Sequence, residues 1–362
     1  MATIFLELLV ILAICYLCMP KKPQEAPSGA CFDGGVITMR QTSGAPKEIK
    51  SGIDTTLIKP YDKPVKIYIY RPQTLDQFIG QEQAKDEIRS FVKVVQELKP
   101  NSHLLVSGWA GTGKSTIVYV LANLLQAKMF YRTPQQLMDN DAVIEICNKI
   151  GEAKEKQVIL FLDEIHGLDS KVAETLYMVM EDSKLAGVDI RPFILAGATT
   201  ELNILQKKLS PLVDRFSTKI VLDRYSSEDL YKIITQYKRQ LYPEIKLEDE
   251  DLRTISKNAK RTPRIAIGLL MKDLVEKDID KVMNQSGIIV DGLTNIDIRL
   301  LQVLKDNIKP MGAEALAQRA SIPTSDYLVV YEPFLAAEGY INRTPRRVLG
   351  DKGKQILEQL GS

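Results

Sequence analysis

This sequence has almost no excess of positive over negative charge. Its 48 Lys and Arg stand against 46 Asp and Glu, a net charge of +2 over 362 residues. That balance excludes a bulk cationic field, so any nucleic-acid contact must come from a local patch. Cysteine is scarce as well, four in all, which excludes a disulfide framework and suits a reducing compartment. Cys15 and Cys18 form a C-x-x-C but lack the second ligand pair that structural zinc requires. No internal repeat stands out. What remains is an ordinary globular composition, 45% hydrophobic and 26% charged, long enough for two or three domains with real cores.

One long apolar run breaks the pattern. Residues 3–19 (TIFLELLVILAICYLCM) contain a single charge, Glu7. Such a run reaches the short end of the roughly 17–25 residues that span a bilayer. No Lys or Arg precedes it and Lys21 and Lys22 follow, which predicts a membrane anchor at 1–20 with the body on the cytoplasmic face. A cleaved signal peptide is the alternative, although the basic leader and small-residue cleavage site are absent. Residues 21–64, rich in Pro, Gly, Ser, Thr and Lys, read as a flexible linker.

Beyond residue 65 apolar runs alternate with helical stretches. Runs at 103–107 (HLLVS), 158–162 (VILFL) and 193–198 (FILAGA) read as buried strands. The stretches 82–98, 115–125, 142–154 and 171–180 read as helices. This alternation predicts an α/β domain over 65–221, with a parallel sheet covered on both faces. Residues 222–287 carry three helical stretches, at 227–241, 248–259 and 262–277. A terminal domain, 288–362, carries three more and a short hairpin around 340–349.

The chemistry is concentrated at strand ends. Gly108-Trp-Ala-Gly111-Thr-Gly113-Lys114-Ser115 fits G-x-x-x-x-G-K-[ST] in full, between a strand and a helix. Its glycines let backbone N–H groups close around phosphates, Lys114 meets the β/γ-phosphates, and Ser115 offers a hydroxyl to Mg2+. Asp163 and Glu164 end the next buried strand. They suit metal holding and water polarisation respectively; alone, such a pair could be a solvated loop. Thr199 and Thr200 end a third strand, where a hydroxyl can orient the attacking water or cap a helix. His166 reads as a turn cap.

From residue 71 to about 360 the chain resembles RuvB, the bacterial Holliday-junction branch-migration ATPase of the AAA+ superfamily. The likeness is carried by Arg71-Pro72, LDQFIGQ at 75–81, the phosphate loop, DEIH at 163–166 and GATT at 197–200. It continues through SPLVDRF at 210–216, TPRIA at 262–266, YEPFL at 331–335 and GYINRTPR at 339–346. The resemblance implies a P-loop domain, a helical lid and a C-terminal winged helix. ATP contacts would fall at Gly111, Gly113, Lys114, Ser115 and Thr116, with Phe78 and Ile79 at the adenine and Tyr225 at the hinge. Arg215 would act as an arginine finger on a neighbour's ATP, and Arg264 as a sensor in cis. Arg343, with Arg346 or Arg347, would grip DNA phosphates, and the assembly would be a hexamer.

The departures bear on partners. Trp109 stands where the family carries proline, Val213 replaces an arginine, and Arg347-Val348 replaces Gly-Arg. Only 181–192 link a helix to the next strand, too few for the long hairpin by which the family docks on RuvA; this argues against a RuvA-type partner. The expected function is an ATP-driven DNA motor for branch migration or duplex translocation. The alternatives are a membrane-tethered AAA+ remodeller of protein complexes, or a scaffold that binds ATP without turnover.

Overall fold

The computed structural model describes residues 36–37, 67–68, 70–98, 102–185, 188–307 and 309–361. It divides into two units, Met1–Ile69 and Tyr70–Ser362. The described residues of the first form a single antiparallel pair, β1 (Val36–Ile37) with β2 (Ile67–Tyr68). Val36–Ile37 lies inside the stretch read as linker. The predicted anchor at 1–20 lies outside the described residues; among those described, no helix is long and apolar enough to cross a membrane.

The second unit begins with α1 (Glu82–Glu97), β3 (Leu104–Gly108), α2 (Lys114–Leu124), β4 (Lys128–Arg132), α3 (Asn140–Gly151), β5 (Val158–Leu162) and α4 (Ser170–Asp182). A short hairpin, β6 (Lys184–Leu185) with β7 (Val188–Asp189), then leads to β8 (Ile194–Thr199). Two short helices, α5 (Leu202–Lys208) and α6 (Ser210–Asp214), precede β9 (Thr218–Leu222). Strands β4, β5, β8, β3 and β9 lie in that order in one sheet, and every neighbouring pair is parallel.

The central strands β5 and β8 are buried along their whole length. Helices cover both faces, giving two apolar layers, one around Leu160 and Leu195, the other around Val106 and Phe161. Each such side chain contributes roughly 1.5–3 kcal/mol by leaving water. The sequence missed β4 and β9 for one reason: they are the edge strands. Both are partly exposed, so neither needs the continuous apolar run that marks a buried strand.

A helical segment follows: α7 (Ser227–Leu241), α8 (Asp249–Asn258), α9 (Pro263–Glu276) and α10 (Ile279–Gln285), the last not foreseen. Their common core includes Leu230, Ile255 and Leu270. The terminal segment contains β10 (Ile288–Val290), β11 (Leu293–Thr294), α11 (Asn295–Lys305) and α12 (Ala313–Arg319). Then α13 (Thr324–Asp326) passes through a π-helical turn at Tyr327–Tyr331 into α14 (Glu332–Ala337). The wing is β12 (Ile341–Thr344) paired with β13 (Arg346–Leu349), and α15 (Asp351–Gln359) closes the segment. Helices followed by an antiparallel wing make this a winged helix.

Asp273 in α9 is fully buried, and neither carboxylate oxygen has a hydrogen-bond partner. Burial, aided by the charges of Asp251 and Asp278, pushes its pKa up to about 6. An acid whose folded pKa is raised costs stability as it ionises, so the cost appears as pH rises through about 4 to 6 and persists above. Wild type is expected to lose up to about 2–3 kcal/mol over that window from this group. Asp273→Asn should remove that slope in urea unfolding between pH 4 and 7; an unchanged slope would contradict the burial argument.

Candidate nucleotide site

Parallel register brings the sequence motifs to one edge of the sheet. Ser107 pairs with Thr199, Leu162 with Gly197, and Gly108 with Leu222. The phosphate loop, the acid pair and the third strand end therefore leave the sheet side by side, at the carboxyl edge where open α/β sheets bind ligands.

The loop is already closed on its lysine. Lys114, almost wholly buried, donates to the carbonyls of Gly108 (3.0 Å) and Trp109 (3.1 Å). Burial lowers its pKa and the charge of Arg264 adds to this, while Glu164 and Asp163 pull it back up. Gly111 has φ +80°, and a Cβ there would lie 2.8 Å from the Cβ of Arg264. Only glycine lets the loop and Arg264 approach so closely.

Beside the loop, Ser115 Oγ donates to Asp163 Oδ2 at 3.2 Å, and the Tyr131 hydroxyl reaches the same oxygen at 3.4 Å. Burial, then the neighbouring Glu164 charge, raises the Asp163 pKa. Burial beside Asp163 likewise pushes Tyr131 up to about 12. Glu164 sits in the left-handed region at φ 51°. Its Oε2 accepts from both the backbone N–H (3.0 Å) and the hydroxyl (2.9 Å) of Thr200. His166 Nδ1 lies 3.3 Å from the same Oε2 and 3.1 Å from Thr199 Oγ1. Thr199 is fully buried and also accepts from the N–H of Glu201. Of the adjacent threonines it is thus Thr200 that touches the acid. His166, read as a turn cap, and Tyr131, not singled out, both belong to the cluster.

Phe78 and Tyr225 flank Gly113: a Cβ there would meet the Phe78 ring at 3.3 Å and the Tyr225 hydroxyl oxygen at 3.7 Å. The Tyr225 hydroxyl donates to the Thr112 carbonyl at 3.1 Å. Ile79 and Thr116 are half-buried nearby in sequence. A cavity of about 220 Å³ opens next to Tyr225, lined also by Gln81, Asp223 and Asp229.

Arg215 lies apart from this group. It pairs with Glu181 at 2.6 Å, over the Tyr177 ring, and is exposed. The wing arginines divide. Arg347, mostly buried, donates to Glu332 at 2.5 Å, and Arg343, more exposed, reaches the same fully buried carboxylate at 3.2 Å. The Tyr327 hydroxyl completes that cluster at 3.1 Å. Arg347 is therefore turned inward, whereas Arg346 is exposed.

Comparison with known proteins places this geometry. Residues 70–222 match the model for the Holliday junction DNA helicase RuvB P-loop domain, and 290–358 that for the RuvB C-terminal winged helix domain. A Holliday junction branch migration complex subunit RuvB from Wolbachia pipientis wMel is 32% identical, over 83% of this chain and 97% of its own length. That of Ehrlichia canis is 33% identical, over 80% and 93%. The chain belongs to the RuvB family. A solved structure, the Thermotoga maritima RuvB Holliday junction branch migration motor, is 30% identical with a TM-score of 0.68. It covers 80% of this chain and 98% of that one.

One expectation falls here. The membrane-face localisation rested on residues 1–20 alone. The family models begin at residue 70, and the relatives match nearly their whole length within about four fifths of this chain. The family supplies no anchor, so the membrane localisation is withdrawn, and the membrane-tethered remodeller goes with it.

Gly111→Ala should weaken nucleotide binding roughly five- to thirtyfold. The left-handed backbone alone costs about 1–2 kcal/mol for a residue with a side chain, and the methyl must also displace Arg264. Titration with a fluorescent ATP analogue reads this, and unchanged affinity would mean that Arg264 does not ride on the loop.

Proposed function

We propose that this chain is an ATP-driven motor that moves DNA through Holliday junctions by branch migration. The observation that carries the reading is the pairing, in one chain, of a complete phosphate-hydrolysis edge with a RuvB-type winged helix. The relatives' shared name, branch migration complex subunit, supports the junction as substrate.

The site residues divide the chemistry. Gly108, Gly111 and Gly113 shape the loop around the triphosphate, and Lys114 exchanges its two carbonyl partners for phosphate oxygens. Ser115 and Asp163, already in contact, fit a hydroxyl–carboxylate seat for Mg2+, which when bound neutralises β/γ charge. Glu164 polarises the attacking water once Thr200 releases or redirects its carboxylate. Phe78, Ile79 and Tyr225 hold the base side, and Arg264 reaches the phosphates in cis.

Arg215, exposed and paired with Glu181 rather than with its own loop, suits a finger for a neighbour's ATP in a hexamer. On the wing, Arg343 and Arg346 meet DNA phosphates, and Arg347 braces Glu332. The hairpin β6–β7 has two residues per strand, which argues against docking on a RuvA-type partner through the family's long hairpin. Residues 65–221, 222–287 and 288–362 then serve as motor, lid and DNA grip.

Lys114→Ala should abolish ATP binding. Glu164→Gln should keep binding and lose roughly 10²–10⁴ in turnover; turnover surviving in that variant would reject the base assignment. Junction DNA should raise ATP turnover of the full chain, and a rate flat over junction, duplex and single strands would overturn the motor reading. Arg343→Ala and Arg346→Ala should each weaken DNA binding and lower the salt slope by about 1. Arg347→Ala should instead lower the unfolding midpoint, and a salt-slope loss with unchanged stability would reverse that assignment.

A further inference from the structure

The winged helix reaches the phosphate loop through contacts that a DNA grip alone does not need. Trp109, the loop residue after Gly108, is exposed, and the Arg224 guanidinium lies 4.4 Å from its ring centroid. The same guanidinium lies 5.4 Å from the ring of Phe334 in α14, inside the winged-helix core. Its Nε is buried with no hydrogen-bond partner; the two rings, together with the charge of Glu338, hold this cation in place.

Two further links run the same way. Arg261 pairs with Glu338, just after α14, at 3.0 Å, and donates from Nε to the Tyr225 carbonyl at 2.9 Å. Tyr225 in turn bonds the loop at Thr112. Lys260 pairs at 2.6 Å with the fully buried Asp297 of α11 and lies 5.0 Å from the Phe334 ring. Lys260 and Arg261 both have left-handed backbones, φ 45° and 59°, a strained conformation for residues with side chains. Three residues on, Arg264 rests against Gly111. Contacts from the winged helix therefore end at Trp109, at Thr112 and, through the strained turn, at Arg264.

We propose that Trp109 and Arg224 are positioning residues that couple DNA engagement by the winged helix to the geometry of the phosphate loop. A shift of α14 on DNA moves Phe334, Arg224 follows, and Trp109 carries the change into the loop backbone between Gly108 and Gly111. The family resembled in sequence carries proline at the Trp109 position, so this stack is a feature of the present chain. The inference rests on the DNA-motor reading.

Trp109 is the sole tryptophan, so its emission reports the stack directly. The full chain is titrated with a fluorescein-labelled duplex and with a labelled four-way junction. Anisotropy reads binding, Trp109 emission reads the stack, and ATP turnover is followed with and without unlabelled DNA. DNA is expected to shift Trp109 emission in wild type. Arg224→Met and Phe334→Leu should still bind DNA, lose the shift, and lose at least about fivefold of the DNA effect on turnover, the low end of ordinary coupling. If Arg224→Met fails to fold, Arg224→Lys keeps the charge without the planar stack and gives the same comparison. DNA binding with Trp109 emission unmoved, or a shift that survives in the variants, overturns the coupling and leaves the motor reading intact. A chain that turns over ATP yet binds neither DNA overturns the DNA reading and the coupling together.

Discussion

An ammonium buried at the head of a parallel sheet must be matched by oxygen, and the loop around Lys114 is built to match it. The lysine is held by two carbonyls of its own loop, Gly108 and Trp109. The same donors fit phosphate oxygens, so under the proposed reading binding would exchange one set of partners for another and strand no charge. Burial lowers the Lys114 pKa, and the charges of Asp163 and Glu164 oppose that shift, so the acids proposed to serve the metal and the water also favour the lysine's charged form. The rest of the site is arranged around that exchange. Glu164 is tied to Thr200, and Asp163 is tied to Ser115; each acid is held by the group beside which it would work.

The sheet makes this convergence possible. Four loops leave neighbouring parallel strands at the same edge, and their spacing is set by strand pairing rather than by the loops themselves. The helical and winged segments then lean on the same edge through Tyr225, Arg224 and Arg264. A nucleotide at the edge would thus touch, directly or at one remove, each of the three segments.

Much of this was legible in the sequence, and the limits have physical causes. The glycine loop and the central strands announce themselves, because complete burial demands unbroken apolar runs and tight turns demand glycine. The edge strands β4 and β9 did not, since exposure on one side lets Lys128, Arg132 and Lys219 sit within them. The helix at 227–241 and the first two of the terminal domain followed from periodicity to within a residue or two, whereas α15 and the π-helical break between α13 and α14 did not. Which threonine meets Glu164 depends on how the chain leaves β8, a detail that two adjacent identical residues cannot reveal. The inward turn of Arg347 depends on Glu332, fifteen positions away, and the Trp109–Arg224–Phe334 stack joins three segments that no local pattern connects. The apolar run at 1–20 misled on localisation because it was read apart from the family to which the remainder belongs.

The central claim is the exchange of partners at Lys114. A crystal structure of the full chain with a non-hydrolysable ATP analogue and Mg2+ tests it most directly. The account requires the Lys114 ammonium to leave the Gly108 and Trp109 carbonyls for the β- and γ-phosphate oxygens, and the Ser115–Asp163 contact to open around the cation. An analogue seated elsewhere, with Lys114 still bonded to its own loop, would contradict it.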